Sequence, residues 1–217
     1  MNIPKEIQDF TNDLIEWRQD IHRNPEIGFK ESRTSKFVAE QLESFGCEVH
    51  TGIGRTGVVG VLRHGQGKRS IGLRADMDAL PIHEENAFAH CSSHDGVMHA
   101  CGHDGHTTML LGAARYLAQT RQFDGTVHFI FQPAEEGLGG ALAMISDGLF
   151  DQFPCDSIYG MHNWPSMPTG QFGIKNGPLL AGGALFDITV HGQGAHGSFP
   201  HHSKDTVLAA SEIVVSL

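Results

Sequence analysis

Three short apolar runs in this sequence each end in a cluster of chemically capable polar side chains. Ser70–Ala75 leads into Asp76 and Asp78, Thr126–Gln132 into Pro133-Ala134-Glu135-Glu136, and a run at about 157–161 into His162-Asn163-Trp164-Pro165. Short apolar runs bounded by turn residues read as buried strands. Helix-period segments lie between them, and that alternation predicts an α/β sheet with a parallel component. Open α/β sheets place their sites just past the C-terminal ends of the strands. The three clusters are therefore expected to converge, and this expectation restricts the fold more than any other feature of the chain.

A fourth cluster is denser. Met98–His106 reads MHACGHDGH, with His99, Cys101, His103 and His106 as potential ligands and Asp104 among them. Gly102 and Gly105 allow a tight turn. The apolar run from Met109 to Ala114, continued by Tyr116-Leu117, predicts a buried helix that the ligand-rich loop enters. Thiolate and neutral imidazole both bind zinc and similar divalent ions. The alternatives for such a stretch are a structural zinc clip or a His-rich loop that holds no metal.

Each of the other clusters has two readings. Glu135-Glu136 is a solvated surface pair, or one carboxylate binds metal while the other takes a proton from metal-bound water. Asp76 and Asp78 form a turn before Pro81, or they orient a His ligand and fix its tautomer. His162 is a structural histidine or a ligand. His196, in the Gly/His-rich loop Gly192–His202, is an ordinary loop residue or one that reaches a substrate. His22, His64, His83, His90, His94, His128, His191, His201 and His202 receive no role from the sequence.

The rest of the chain supplies the scaffold. Ile7, Phe10, Leu14, Trp17 and Ile21 predict one amphipathic helix over 5–21, and HRNPEIG (22–28) breaks it. A second helix is expected over about 33–45, closed by Gly46. Strands are expected at Cys47–His50, Gly57–Arg63 and Ser70–Ala75, and a helix around 138–147. From about Gly183 the texture changes: Leu185–His191 alternates like a half-buried strand, and Asp205–Leu217 begins an amphipathic helix. One strand and one helix cannot bury a core, so the chain is expected to stop inside a second domain or to need a partner. The domains expected are 1–182 and 183–217.

Composition narrows the function. The chain has 217 residues, 40% of them hydrophobic, and a net charge of −10. That charge weighs against nucleic acid or an anionic membrane as partner. The 4 cysteines show no disulfide-framework spacing. The N-terminus lacks an apolar signal core, and no apolar run approaches the roughly 18 residues of a membrane span. A cytoplasmic protein is expected.

RADMDALP (74–81), MHACGHDGH (98–106), FQPAEEG (131–137), GMHNWP (160–165) and GQGAHGSFPHH (192–202) together resemble the metal-dependent amidohydrolases. These include hippurate hydrolase, N-acyl amino acid hydrolases and auxin-conjugate hydrolases, within the wider metallopeptidase family of glutamate carboxypeptidase and aminoacylase. The chain most resembles the bacterial hippurate hydrolase branch. The resemblance implies a mixed-sheet α/β catalytic domain of the dinuclear-metal exopeptidase type, followed by an α+β lid and dimerisation domain. It implies Cys101, His103, Glu136 and His162 as metal ligands, Glu135 as general base, Asp78 as the supporting aspartate and His196 as a lid histidine that stabilises an oxyanion. Asp76 stands where relatives outside this branch carry a His ligand and receives no role. Relatives supply a last His ligand after the lid, beyond the point where this chain stops.

The activity implied is hydrolysis of N-acyl amino acids such as N-benzoylglycine, with two divalent ions (Mn, Zn, Co or Ni) per complete subunit and a homodimer formed through the lid. The competing readings are an inactive metal-binding fragment of such an enzyme, and a dipeptidase or carboxypeptidase of the same fold.

Overall fold

Strands β2 (Gly57–His64) and β4 (Gly125–Gln132) are apolar on both faces, as strands covered by helices on both sides must be. In the computed structural model, which describes residues 3–217, they pair antiparallel from Val58↔Phe131 to His64↔Gly125. β1 (Glu48–Ile53) pairs antiparallel with β2 on the outer side. On the other side of β4 lies β3 (Ser70–Asp76), parallel to it, and beyond that β5 (Ser157–Gly160), parallel to β3. The result is a mixed five-stranded sheet of order β1-β2-β4-β3-β5. The predicted α/β class with a parallel component is what the chain adopts. β3, β4 and β5 run the same way, so the clusters that follow Asp76, Gln132 and Gly160 emerge at one end of the sheet.

The two faces divide by the period of a strand. Val58, Leu62, Val127, Phe129 and Phe131 pack with Val38 and Leu42 of α3 (Ser32–Ser44) and Leu111 and Ala114 of α4 (His103–Thr120). Val59, Val61 and Ile130 face the other way, onto Met144 of α5 (Gly140–Ser146), Leu149 of α6 (Leu149–Gln152) and Phe153. The expected helix over 138–147 starts later because Gly139 is left-handed, and it stops before Gly148, also left-handed.

The helix expected over 5–21 is two helices, α1 (Lys5–Asp9) and α2 (Thr11–Arg23). Phe10 leaves the helical region at φ −119°, ψ 19°, and its buried ring lies under the Arg115 guanidinium at 4.4 Å. Burying that ring outweighs a continuous run of helical hydrogen bonds.

Backbone contacts divide the chain into two compact units, Met1–Gly170 and Gln171–Leu217. In the second unit α7 (Thr206–Ser216) is capped by Asp205, whose carboxylate accepts from the Val207 and Leu208 N–H groups. A 3-10 turn spans Pro200–His202. The strand expected at Leu185–His191 does not form: none of its residues is paired, and the one bridge in this unit joins Gln193 to Lys204. Alternating apolar residues make a strand only where a neighbour takes their backbone groups. Among the described residues no helix is long and apolar enough to cross a membrane.

A buried charge network ties α2 to the start of α4. His22 donates from Nδ1 to Asp104 Oδ2 (2.8 Å) and from Nε2 to Glu84 Oε1 (3.0 Å), while Arg18 Nε meets the same Asp104 oxygen at 2.7 Å. The Asp104 hydrogen bond raises the His22 pKa against the opposing effect of burial. Burial works against the Glu84 carboxylate too, but hydrogen bonds from Asn86, the Ser92 N–H and His22 hold it down at about 2. The His22 contribution to stability is complete below the ordinary histidine value of about 6.5 and is lost as pH rises through the raised pKa. The carboxylate contributions are present above about pH 4.5 and are lost on acidification. Thermal melting of the metal-free protein should therefore show a declining midpoint as pH rises above about 6.5, and His22→Asn should flatten that decline.

Candidate metal centre

Four chain segments deliver side chains to the common end of β3, β4 and β5. Asp76 closes β3 and Asp78 follows two residues later. Glu135 and Glu136 leave β4 through Pro133 and Ala134, and His162 lies just past β5. Cys101 sits in the loop before α4, and His103 is the first residue of that helix. The loop turns at Gly102, whose φ of +89° favours glycine, and the Asn163 side-chain amide occupies the space a Cβ would take.

His103 is fully buried. Its Nδ1 donates to Asp78 Oδ1 at 3.1 Å, which leaves Nε2 as the free nitrogen. That Nε2 lies 3.7 Å from Asp76 Oδ1, 3.8 Å from Glu136 Oε1 and 4.0 Å from Glu135 Oε2. Asp78 has a second task, since its Oδ2 accepts the Glu136 backbone N–H at 2.9 Å. His162 donates from Nδ1 to the Asn163 carbonyl (2.7 Å) and turns Nε2 to Cys101 Sγ at 3.3 Å.

Two buried atoms here have no hydrogen-bond partner, His103 Nε2 and Glu136 Oε1. Each such orphan costs about 1–3 kcal/mol if nothing fills the space between them. Candidate ligand atoms of Cys101, His103 and His162, and of His103, Glu135 and Glu136, lie within 4.8 Å of one another. Sulfur, imidazole and carboxylate donors sharing one histidine suit a borderline divalent ion. The residues present therefore fit a metal.

The electrostatics agree. Burial pushes the Cys101 thiol up to about 12, and Glu136, Asp76 and Glu135 add to the shift. Burial opposes a charged His103, yet the Asp78 hydrogen bond and the charges of Asp76, Asp78 and Glu136 raise its pKa. Negative charge favours the proton at both groups, adding to burial at Cys101 and working against it at His103. A divalent cation reverses that preference and displaces the protons.

His106 and His99, both potential ligands by sequence, are placed differently. His106 donates from Nδ1 to Asp76 Oδ1 (2.6 Å), and its Nε2 accepts the Asn163 N–H (3.1 Å) and faces the Asn163 side chain. Both of its nitrogens are thus in use. A third close group, Asp76 with His103 and His106, includes that hydrogen-bonded pair. His99 is buried near His22, ring centroids 6.4 Å apart, and outside every such group. His196 belongs to the second unit, where its Nδ1 accepts the Ser198 N–H at 3.2 Å.

Sequence reasoning missed Arg74 and Asn163. Arg74 Nη1 reaches Asp76 Oδ2 at 2.6 Å, and with the His106 bond it overcomes burial to hold the Asp76 carboxyl at about 2. The signal was present, since residues two apart on a strand share a face.

Comparison with known proteins follows the same lines. The sequence profile of peptidase family M20/M25/M40 matches residues 72–216. Hippurate hydrolase of Campylobacter jejuni is 51% identical over 217 residues, covering 100% of this chain and 56% of that protein. Thermostable carboxypeptidase 2 of Saccharolobus solfataricus is 45% identical over 216 residues, covering 98% of this chain and 54% of that protein. The chain thus spans about half the length of the curated relatives it matches. Among solved structures, a dinuclear metal-binding peptidase of Bacillus subtilis, the YXEP protein, superposes with a TM-score of 0.75 at 41% identity, covering 79% of this chain and 48% of that one.

Two outcomes are expected from titrations of manganese against a chromophoric chelator. Apparent affinity should climb between pH 6 and 8 by about tenfold per pH unit for each proton displaced. Asp78→Asn, which weakens the support of His103, should lower affinity by about 10–100-fold.

Proposed function

The chain belongs to peptidase family M20/M25/M40, and on that premise we propose that it is a metal-dependent amidohydrolase that cleaves N-acyl amino acids to a carboxylic acid and a free amino acid. The observation that carries this reading is the pair of buried, unpartnered atoms, His103 Nε2 and Glu136 Oε1, facing each other 3.8 Å apart beside Cys101 and His162. Those four residues would hold the ions, which when bound polarise an amide carbonyl and acidify water. The ions are manganese, zinc, cobalt or nickel, two per complete subunit.

Glu135 is the free carboxylate of the pair. Its side chain is 42% exposed, against 26% for Glu136, and it lies at the open side of the centre. In the proposed reaction Glu135 takes a proton from the attacking water as the oxygen bonds to the acyl carbon. It returns that proton to the amine nitrogen as the C–N bond breaks. Asp78 keeps His103 in one tautomer and orientation through the 3.1 Å bond. His196 donates to the developing oxyanion. In the whole protein the second unit is part of a lid through which two subunits pair, and the enzyme acts in the cytoplasm on a small-molecule substrate.

The 51% identity to hippurate hydrolase supports an aromatic acyl group such as benzoyl, with glycine as the product amine. A second reading, a carboxypeptidase that acts on peptides, is favoured by the 45% identity to a thermostable carboxypeptidase.

The test is hydrolysis of N-benzoylglycine and of a C-terminally blocked and unblocked peptide pair, with added manganese. N-benzoylglycine should be the better substrate. Glu135→Gln should lower kcat by about 10²–10⁴-fold while manganese content stays at the wild-type level. A preference for unblocked peptides would favour the second reading, and an unchanged kcat in the variant would remove Glu135 as base.

A further inference from the structure

Glu31 is fully buried, far in sequence from the metal centre, and unused by the mechanism above. Its position makes the burial notable. It stands at the N-cap of α3, where a short polar side chain ordinarily accepts the free N–H groups of the first helical turn, and it makes no such bond. Glu26 does that work instead, accepting from Arg33 N (3.0 Å), Thr34 N (2.8 Å) and Thr34 Oγ1 (2.9 Å). Helix capping therefore leaves Glu31 unexplained.

The carboxylate points elsewhere. Oε1 accepts the backbone N–H of Ala134 at 2.8 Å, and Oε2 accepts the Thr56 hydroxyl at 2.6 Å. Ala134 is the residue immediately before Glu135-Glu136. It is fully buried and held at φ +49°, in the left-handed region that residues other than glycine rarely enter. Its carbonyl accepts the Gly140 N–H at 2.9 Å. Both backbone polar groups of Ala134 are thus tied, and Glu31 holds one of them.

The neighbouring chain is fitted to the same turn. A Cβ on Gly28 would stand 3.0 Å from Ala134 Cα and 2.9 Å from Leu138 Cδ1, so the segment before Glu31 lies directly on the turn. That segment also holds the aspartate side of the centre: Ala79 N donates to the Glu26 carbonyl at 2.8 Å, and Ile27 bridges Ala79. Asp78, next to Ala79, in turn accepts the Glu136 N–H.

We infer that Glu31 is a positioning residue for the two glutamates of the centre: by holding the Ala134 N–H it fixes the strained turn that aims Glu135 and Glu136. The inference rests on the proposed function for what those glutamates do, but the clamp itself is a statement about backbone geometry. What the turn needs from Glu31 is reach, not charge.

The two requirements separate by substitution. Glu31→Gln keeps the reach and removes the charge; Glu31→Asp keeps the charge and loses the reach. Both are compared with wild type in the manganese-loaded protein by kcat and KM for N-benzoylglycine, by melting temperature, and by amide hydrogen exchange at Ala134. In Glu31→Asp, kcat should fall by about tenfold or more with KM within about threefold, and Ala134 exchange should quicken by a similar factor. Glu31→Gln should recover most of that loss. A Gln variant as impaired as the Asp variant, or an Asp variant with wild-type kcat and exchange whatever its melting temperature, overturns the clamp. If the Asp variant does not fold, Thr56→Val removes the 2.6 Å bond that holds the Glu31 carboxylate in place against Ala134. It should show a smaller fall in kcat with faster Ala134 exchange, and wild-type values of both would overturn the clamp. Wild-type protein that binds manganese but cleaves none of the substrates defeats the proposed function instead. The clamp is then decided by Ala134 exchange in the Asp variant alone.

Discussion

The hydrogen bond from His103 Nδ1 to Asp78 Oδ1 is the point on which the end of the sheet is built. A buried imidazole has two nitrogens to satisfy, and this bond commits one of them. The other is thereby directed into the space between Asp76, Glu135 and Glu136. The second Asp78 oxygen holds the Glu136 backbone, so one carboxylate orients an imidazole from α4 and a loop from β4 together. That coupling works because β3 and β4 are parallel and in register to their last residues, Asp76 and Gln132.

Around this bond the protein gathers more negative charge than it neutralises. Arg74 pairs with Asp76, and Arg18 and His22 share Asp104, so those carboxylates are compensated within the chain. Glu135 and Glu136 share one imidazole, with His103 Nε2 at 4.0 and 3.8 Å, and so carry more negative charge than it can balance. The imbalance is local and lies where the sulfur and imidazole donors are. A site of this kind is poised for a cation from outside, since the same carboxylates that add to the effect of burial on Cys101 raise the affinity for a cation. The His22 network performs a separate task, binding the N-terminal helices to the first turn of α4 without adding charge to the centre.

The scaffold was legible because the strands that carry the site are apolar, short and closely punctuated. β2, β3, β4 and β5 fall within a residue or two of their expected spans. The convergence of Asp78, Glu135, Glu136 and His162 followed from strand direction, while Cys101 and His103 arrive from the loop that enters α4. What escaped was whatever depends on distant partners. Phe10 breaks a helix because of Arg115, and LFDITVH forms no strand because nothing pairs with it. His106 is a bracket and not a free ligand because Asp76 and Asn163 occupy it. Glu31 carried no expectation from the sequence, and only the fold shows its carboxylate turned to Ala134. Local pattern reports which residues are capable of a role; the competition for partners decides which of them are free to perform it.

The strand order has a consequence for how the chain is made. β4 lies between β2 and β3, although β2 and β3 follow one another in the sequence. The hairpin of β1 and β2 can close early, but β3 has no partner until the whole of α4 and β4 has been synthesised. During that interval β2 and β3 each present an open edge, and β2 is apolar on both sides. Two such edges in one nascent chain invite pairing with each other or with another molecule. The insertion of β4 is therefore the step at which this polypeptide is most exposed to misassembly, and the segment between β3 and β4, the long loop together with α4, is the tether whose length sets how long that exposure lasts.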